Sequence, residues 1–195
     1  VKSRRLMQSP WYQSRWGGVF ALTSDQNEKM RYDNDQAGYR IATSVGGVAT
    51  GEGGDIRILD DPHKPQEAQS DAVRNGDIEW LKETWSSRFT DPKTSAEGVV
   101  MQRRHERDAT GYYLAEVGGY EHLRIPMRFE AQHRCVTVLG WEDPRKGEGE
   151  LMWPERIGEV EGLQAERDLG SYGAAGQLQQ RPSPAGGGIL KKEWF

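Results

Sequence analysis

Two short apolar runs, each ending in polar residues, restrict this fold more than any other feature of the chain. The first is Ile56, Ile58 and Leu59, closed by Asp60 and Asp61 and stopped by Pro62 before His63. The second is Val99-Val100-Met101, which leads into Gln102-Arg103-Arg104-His105-Glu106-Arg107-Asp108. Between them, 66–75 and 77–85 read as helical, with Ile78, Leu81 and Trp85 at helical spacing. Strand, helical crossover and strand in that order predict a βαβ unit with two parallel, buried strands. The chain is therefore expected to be α/β, with its chemistry outside the carboxyl ends of the strands, where such sheets bind ligands.

Around this unit the sequence predicts simpler elements. Residues 1–16 read as helical, restarting at Ser9-Pro10, because Pro suits the first helical position after a Ser cap. Val19 to Leu22 reads as a strand. The runs 28–32 and 39–43 flank the turn-rich Asp33 to Gly38, a hairpin signal. Beyond Gly111 the chain is irregular, with strand-like runs at 122–126 and 134–139 and a polar turn at 143–149. A helix over 159–169 is closed by Gly170, and Ser183 to Gly188 is a Pro/Gly linker that precedes Ile189 to Phe195.

Composition removes several classes. A 195-residue chain with 35% hydrophobic residues and seven Trp can bury a core. A net charge of −4 does not announce a nucleic-acid binder, although a local basic patch is compatible with it. Cys135, the only cysteine, permits neither an internal disulfide nor a cysteine zinc site, so a reducing compartment is the default. No apolar run reaches membrane-spanning length. The chain starts at Val1 with what reads as a helix already under way, so the natural polypeptide is expected to begin upstream.

The strand tips are the candidate site. Asp60 and Asp61 stand where nucleoside triphosphatases place a Mg²⁺-holding carboxylate and a neighbouring acid that orients water. Taken alone, they also read as a strand end capped by two solvated carboxylates. Gln102 and Arg103, at the tip of the second strand, are placed to sense a phosphate. The same cluster also reads as a solvated basic turn paired with Glu106 and Asp108. Arg88 suits a helix end, where the dipole favours a cation. His105 lacks a second His or Cys at metal-ligand spacing. Trp153, Tyr172, Gln177, Gln179 and Gln180 suit either nucleic-acid stacking or ordinary packing. Gly46 and Gly51 have the spacing of a phosphate-binding loop. Glu52 and Gly53, however, occupy the positions of its Lys and its Ser or Thr, so the stretch is read as a loop feeding the next strand.

In order along the chain, these phrases resemble the large terminase subunit of tailed bacteriophages, the motor that pumps DNA into a capsid. The likeness runs through Ser9 to Gln13, Gly38 to Gly47, Ile58 to Pro62, Ser87 to Phe89, Val99 to Gly111, His122 to Pro126, Leu169 to Tyr172, Gln177 to Pro182 and Gly187 to Ile189. It implies a partial RecA-like ATPase core with parallel strands, followed by a small irregular linker subdomain. The corresponding spans are 1–130, the second half of the ATPase domain, and 131–195, the linker leading toward a nuclease domain. Asp60 would match the metal-holding Walker B acid and Asp61 the catalytic acid. Gln102 and Arg103 would fall in the coupling motif.

The family further implies ATP and Mg²⁺, double-stranded DNA, a portal protein, a small terminase subunit, assembly as a homo-oligomeric ring, and the host bacterial cytoplasm. Two departures accompany the likeness. The sequence lacks both the phosphate-binding loop and the separated acids of a two-metal nuclease. The chain is therefore expected to be inactive alone, with no tight binding of ATP or Mg²⁺. The other expectation is a non-catalytic prophage remnant or interaction module.

Overall fold

The computed structural model describes residues 2–47, 51–64 and 68–183. The chain divides into two compact units, Val1–Ala49 and Thr50–Phe195. No helix among the described residues is long and apolar enough to cross a membrane.

In the first unit, α1 (Lys2–Met7) and α2 (Pro10–Trp16) meet at Ser9. Its side chain accepts the Tyr12 N–H, and Pro10 occupies the first turn, as the Ser-Pro pair predicts. The hairpin also forms. β2 (Arg31–Asn34) and β3 (Tyr39–Ile41) pair antiparallel, with Tyr32 opposite Arg40. Asn34 organises the turn, accepting the N–H groups of Gln36 (3.0 Å) and Gly38 (2.8 Å) on its side-chain oxygen. The strand expected at 19–22 lies instead at β1 (Leu22–Asn27), paired with β2. Residues 17–19 continue as turns from α2, with Gly17 N–H bonded to Gln13 O and Val19 N–H to Trp16 O, so they are not free to pair.

The second unit contains the βαβ unit. β4 (Ile56–Asp60) and β5 (Ala96–Val100) run parallel and in register, Arg57 opposite Glu97 and Asp60 opposite Val100. The crossover is one helix, where the sequence suggested two. α3 (Asp71–Trp80) runs through Gly76 and ends in a wider π turn, Leu81–Trp85. Gly76 faces open space, so no packing contact forces a break there. Leu81 joins Leu59, Ala109 and Tyr113 in the buried cluster, with Ile78, Trp85, Val99 and Met101 against it. The apolar spacing thus names the correct face of the crossover. Residues 1, 48–50, 65–67 and 184–195, which include parts of the expected glycine loop and helix and of the final linker, lie outside the described residues.

The strands are not buried on both faces, as the apolar runs suggested. Burial on β4 alternates, with Arg57 and Leu59 inside while Ile56 (73%) and Ile58 (63%) are exposed. A sheet covered on only one face buries only every second residue.

After β5, α4 (Ala109–Tyr112) continues into the π turn Tyr113–Val117. The later half is held by ion pairs more than by regular structure. No strand forms at 122–126. The run 134–139 becomes a tight turn with one bridge, Val136 to Glu142, in which Gly140 takes a left-handed φ of 84°. The Asp143 to Gly149 turn is polar and largely exposed, but two of its charges are buried. The buried Asp143 carboxylate meets the buried Arg145 guanidinium at 2.7 Å, and Arg145 also donates to the Met127 and Glu150 carbonyls, both at 3.1 Å. The Arg145 hydrogen bond holds the Asp143 carboxyl below the ordinary carboxylate range. α5 spans Glu159–Gly173 and is kinked at Gly170 (φ 65°), where the sequence places its end. A further π turn, Ala174–Leu178, follows the kink.

Candidate strand-tip site

The site begins with a backbone turn at Asp61. This residue, followed by Pro62, adopts φ 45°, an unusual conformation for a side chain larger than Gly. The turn lets its N–H donate to Val100 O (2.9 Å), and its carboxylate Oδ1 accepts the Gln102 N–H (3.3 Å). Asp61 therefore crosses from the end of β4 onto the end of β5. Asp60, one residue earlier, lies on the exposed sheet face, and no described residue engages its carboxylate. The two adjacent acids thus occupy different environments, as the sequence reading required.

Gln102 is exposed, and its side-chain oxygen accepts from the Arg104 guanidinium at 3.3 Å. Arg103 turns the other way. Its Nε reaches both carboxylate oxygens of Asp108, at 2.9 and 3.0 Å, and its Nη2 donates to Glu106 O at 3.2 Å. Asp61 and Gln102 therefore lie side by side, while the Arg103 guanidinium is committed to the interior of its own loop. The alternative reading names this pairing with Asp108, but the pair is buried rather than solvated, and Glu106 contributes its backbone carbonyl.

Asp108 is a residue the sequence reading passes over as a site residue. It is fully buried, caps α4 through the Gly111 N–H (3.0 Å), and also accepts the Arg104 (3.0 Å) and His105 (3.3 Å) N–H groups. An Asp just before Ala109 and Thr110 is an N-cap signal, and that signal could have identified it. A Cβ on Gly111 would run into the Glu106 carbonyl, so the loop needs glycine there.

His63 was also missed. Its buried ring accepts the Ala109 N–H on Nε2 (2.8 Å), which leaves the proton on Nδ1, facing Asp77 Oδ2 at 2.7 Å. It ties the turn after β4 to α3 and α4.

Nearby, buried His105 accepts the Arg107 N–H at 3.0 Å. Burial first, then the charges of Arg74 and Arg107, lower its pKa, against the opposing charges of Glu106 and Asp71. As pH falls, the unfolded chain takes up this proton first, from about pH 6.5 downward. The resulting loss of stability levels off once the folded form is protonated too. Urea midpoints at pH 7.5 and 5.5 are expected to differ, and His105→Asn, which keeps an acceptor for Arg107, is expected to shrink that difference. An equal difference in the variant would place the effect elsewhere.

Beneath the strand tips lies a buried ion pair. Arg57 Nη2 and Glu97 Oε2 are 3.1 Å apart, with side chains 4% and 5% exposed. Glu97 also accepts from Trp85 Nε1 and from the Tyr113 (3.2 Å) and Tyr120 hydroxyls. The Arg57 guanidinium lies over the Phe89 ring, 3.4 Å from its centre, and 5.0 Å from that of Trp85. Burial, then Glu97, pushes both tyrosine hydroxyls up, so they remain donors. A groove of about 660 Å³ opens beside this cluster along β5, lined by Glu97, Tyr113, Tyr120 and Leu123 among others, but not by Asp60 or Asp61.

Two further candidates make hydrogen bonds within the chain. Arg88 Nε bonds the Thr84 carbonyl (3.1 Å) at the end of the crossover helix, and the Tyr172 hydroxyl donates to Gln69 (3.2 Å). Among the described residues, no three His, Cys, Asp or Glu side chains gather as a metal cluster. The exposed carboxylates Asp60 and Asp61 still suit Mg²⁺, which binds through one or two carboxylates while water and phosphate oxygens complete its shell. No protein-family model matches this chain, and no curated protein matches it.

Proposed function

We propose that this chain carries the acidic strand tip and the coupling loop of an ATP-driven DNA-packaging motor of the terminase large-subunit kind, built on a RecA-like core. One observation carries the reading. In a parallel βαβ unit, the second of two adjacent acids is turned across the sheet to receive the Gln102 N–H at 3.3 Å, while the first is left unengaged. Strands in such a pair that end in acids on one side and a polar sensor on the other have the layout phosphoryl transfer uses. The ordered sequence phrases support the same reading.

The residues divide the work accordingly. Asp60 is suited to hold Mg²⁺, which supplies charge neutralisation on phosphoryl oxygens when bound. Asp61, with Oδ1 taken by Gln102, keeps Oδ2 to accept a proton from water. Gln102 reads the state of Asp61 through that hydrogen bond. Arg103 acts through its backbone and Asp108, since its guanidinium is already paired. Double-stranded DNA, a portal protein, a small subunit and sister copies in a ring are the partners this reading assigns.

Nothing in the sequence can cradle the β- and γ-phosphates, so the 195 residues alone are expected to show no steady-state ATP turnover. Turnover that Asp60→Ala abolishes would refute that expectation. In a polypeptide that carries a phosphate-binding loop together with this chain, Asp61→Ala should lower kcat by about 10²–10⁴-fold, the usual contribution of a general base. An unchanged kcat would exclude Asp61 as the group that activates water, and no turnover at all in that polypeptide would favour a non-catalytic interaction module.

A further inference from the structure

Gln180 takes no part in the strand-tip chemistry, yet its side chain reaches the next peptide along. Its Oε1 accepts the Arg103 N–H at 3.0 Å, while the preceding N–H, that of Gln102, is held by Asp61 at 3.3 Å. Successive N–H groups on an extended chain point to opposite sides. The segment leaving β5 is therefore held from both flanks, by a carboxylate on the β4 side and a glutamine amide on the other. Gln180 does there what a further strand would do.

Three features show that this grip is built in. Gln180 has φ 54°, a left-handed conformation that costs energy in a non-glycine residue and persists only where its surroundings fix it. Its Nε2 is anchored to Gln177 O at 2.7 Å. On the carbonyl side of Arg103, a Cβ on Gly176 would lie 2.9 Å from Arg103 O, so the π turn after α5 presses directly on the following peptide. The neighbouring Gln179 extends the clasp. It accepts the Arg128 N–H (3.0 Å) and donates to Arg128 O (3.1 Å), and Arg128 is ion-paired to Glu159 and Glu166 on α5.

We propose that Gln180 is a positioning residue, which holds the Gln102–Arg103 peptide so that the preceding N–H, that of Gln102, stays on Asp61, and which ties the strand tip to α5. The link to Asp61 as a reacting group rests on the function proposed above, but the positioning itself does not. The test is amide hydrogen exchange by NMR on the chain, together with Mn²⁺ broadening at Asp60 and Asp61. Gln180→Leu should raise exchange at Gln102 and Arg103 at least about tenfold, with α3 amides unchanged, and should weaken any Mn²⁺ binding. Gln180→Glu, which keeps the acceptor oxygen, should restore most of both.

The reverse perturbation needs no change at Gln180. Asp61→Gly, which accepts the positive φ, should shift the Gln180 side-chain amide resonances. Unchanged exchange at Gln102 and Arg103 in Gln180→Leu, or unmoved Gln180 resonances in Asp61→Gly, would overturn the positioning role. Raised exchange in Gln180→Leu with Mn²⁺ broadening the same as in the unmodified chain would keep the positioning role and remove only its link to Asp61 as a reacting group.

Discussion

Glu97→Ala is expected to lower the unfolding free energy by about 3–5 kcal/mol, the cost of stranding one member of a buried ion pair. Arg57 would keep its charge beneath the sheet with only the Trp85 carbonyl and two aromatic faces around it. Trp85, Tyr113 and Tyr120 would lose their shared acceptor at the same time. Replacing both members by apolar residues of similar volume is often neutral. Here the double variant Arg57→Leu/Glu97→Leu should recover only part of the loss, because the three donors stay unsatisfied. Urea unfolding of the singles and the double closes the cycle and isolates the pair's coupling. A single-variant loss below about 1 kcal/mol would mean the pair is solvated in solution.

Asp108→Ala should be of similar size, about 3–5 kcal/mol, for a different reason. One carboxylate pairs Arg103, caps α4 and holds two loop amides, so its removal leaves the Arg103 Nε and three backbone N–H groups without acceptors. Asp108→Asn keeps acceptor oxygen but not charge and should cost roughly half as much. Since Asp108 also holds the loop that begins at Gln102, both variants should broaden the Gln102 and Arg103 amide signals before global unfolding. Sharp, unmoved signals in a destabilised Asp108→Ala variant would separate cap from loop.

The sequence was most legible where spacing and caps act locally. Ser9-Pro10, the turn around Asn34, the face marked by Ile78, Leu81 and Trp85, and the helix end at Gly170 all follow from short-range rules. The meeting of Asp61 with Gln102 was readable in outline from two strand tips. Its means was not, because the positive φ at Asp61 is set by tertiary contact. The later half was legible least. Asp143 and Arg145 look like surface charges, and only their mutual burial turns a polar turn into an anchor. Gln180, 77 residues beyond Arg103, has no local signal at all.

The alternation on β4 also bears on which alignment of the strand wins. A slip of one position would carry Ile56 and Ile58 inward and put Arg57 in water, giving a greasier interior than the one observed. Apolar burial alone would choose that wrong parity. The Glu97 carboxylate on the facing strand reverses the choice, since only the observed parity brings a guanidinium to it. The charged pair thus encodes alignment, and with it which of two consecutive aspartates is delivered to the neighbouring strand's tip.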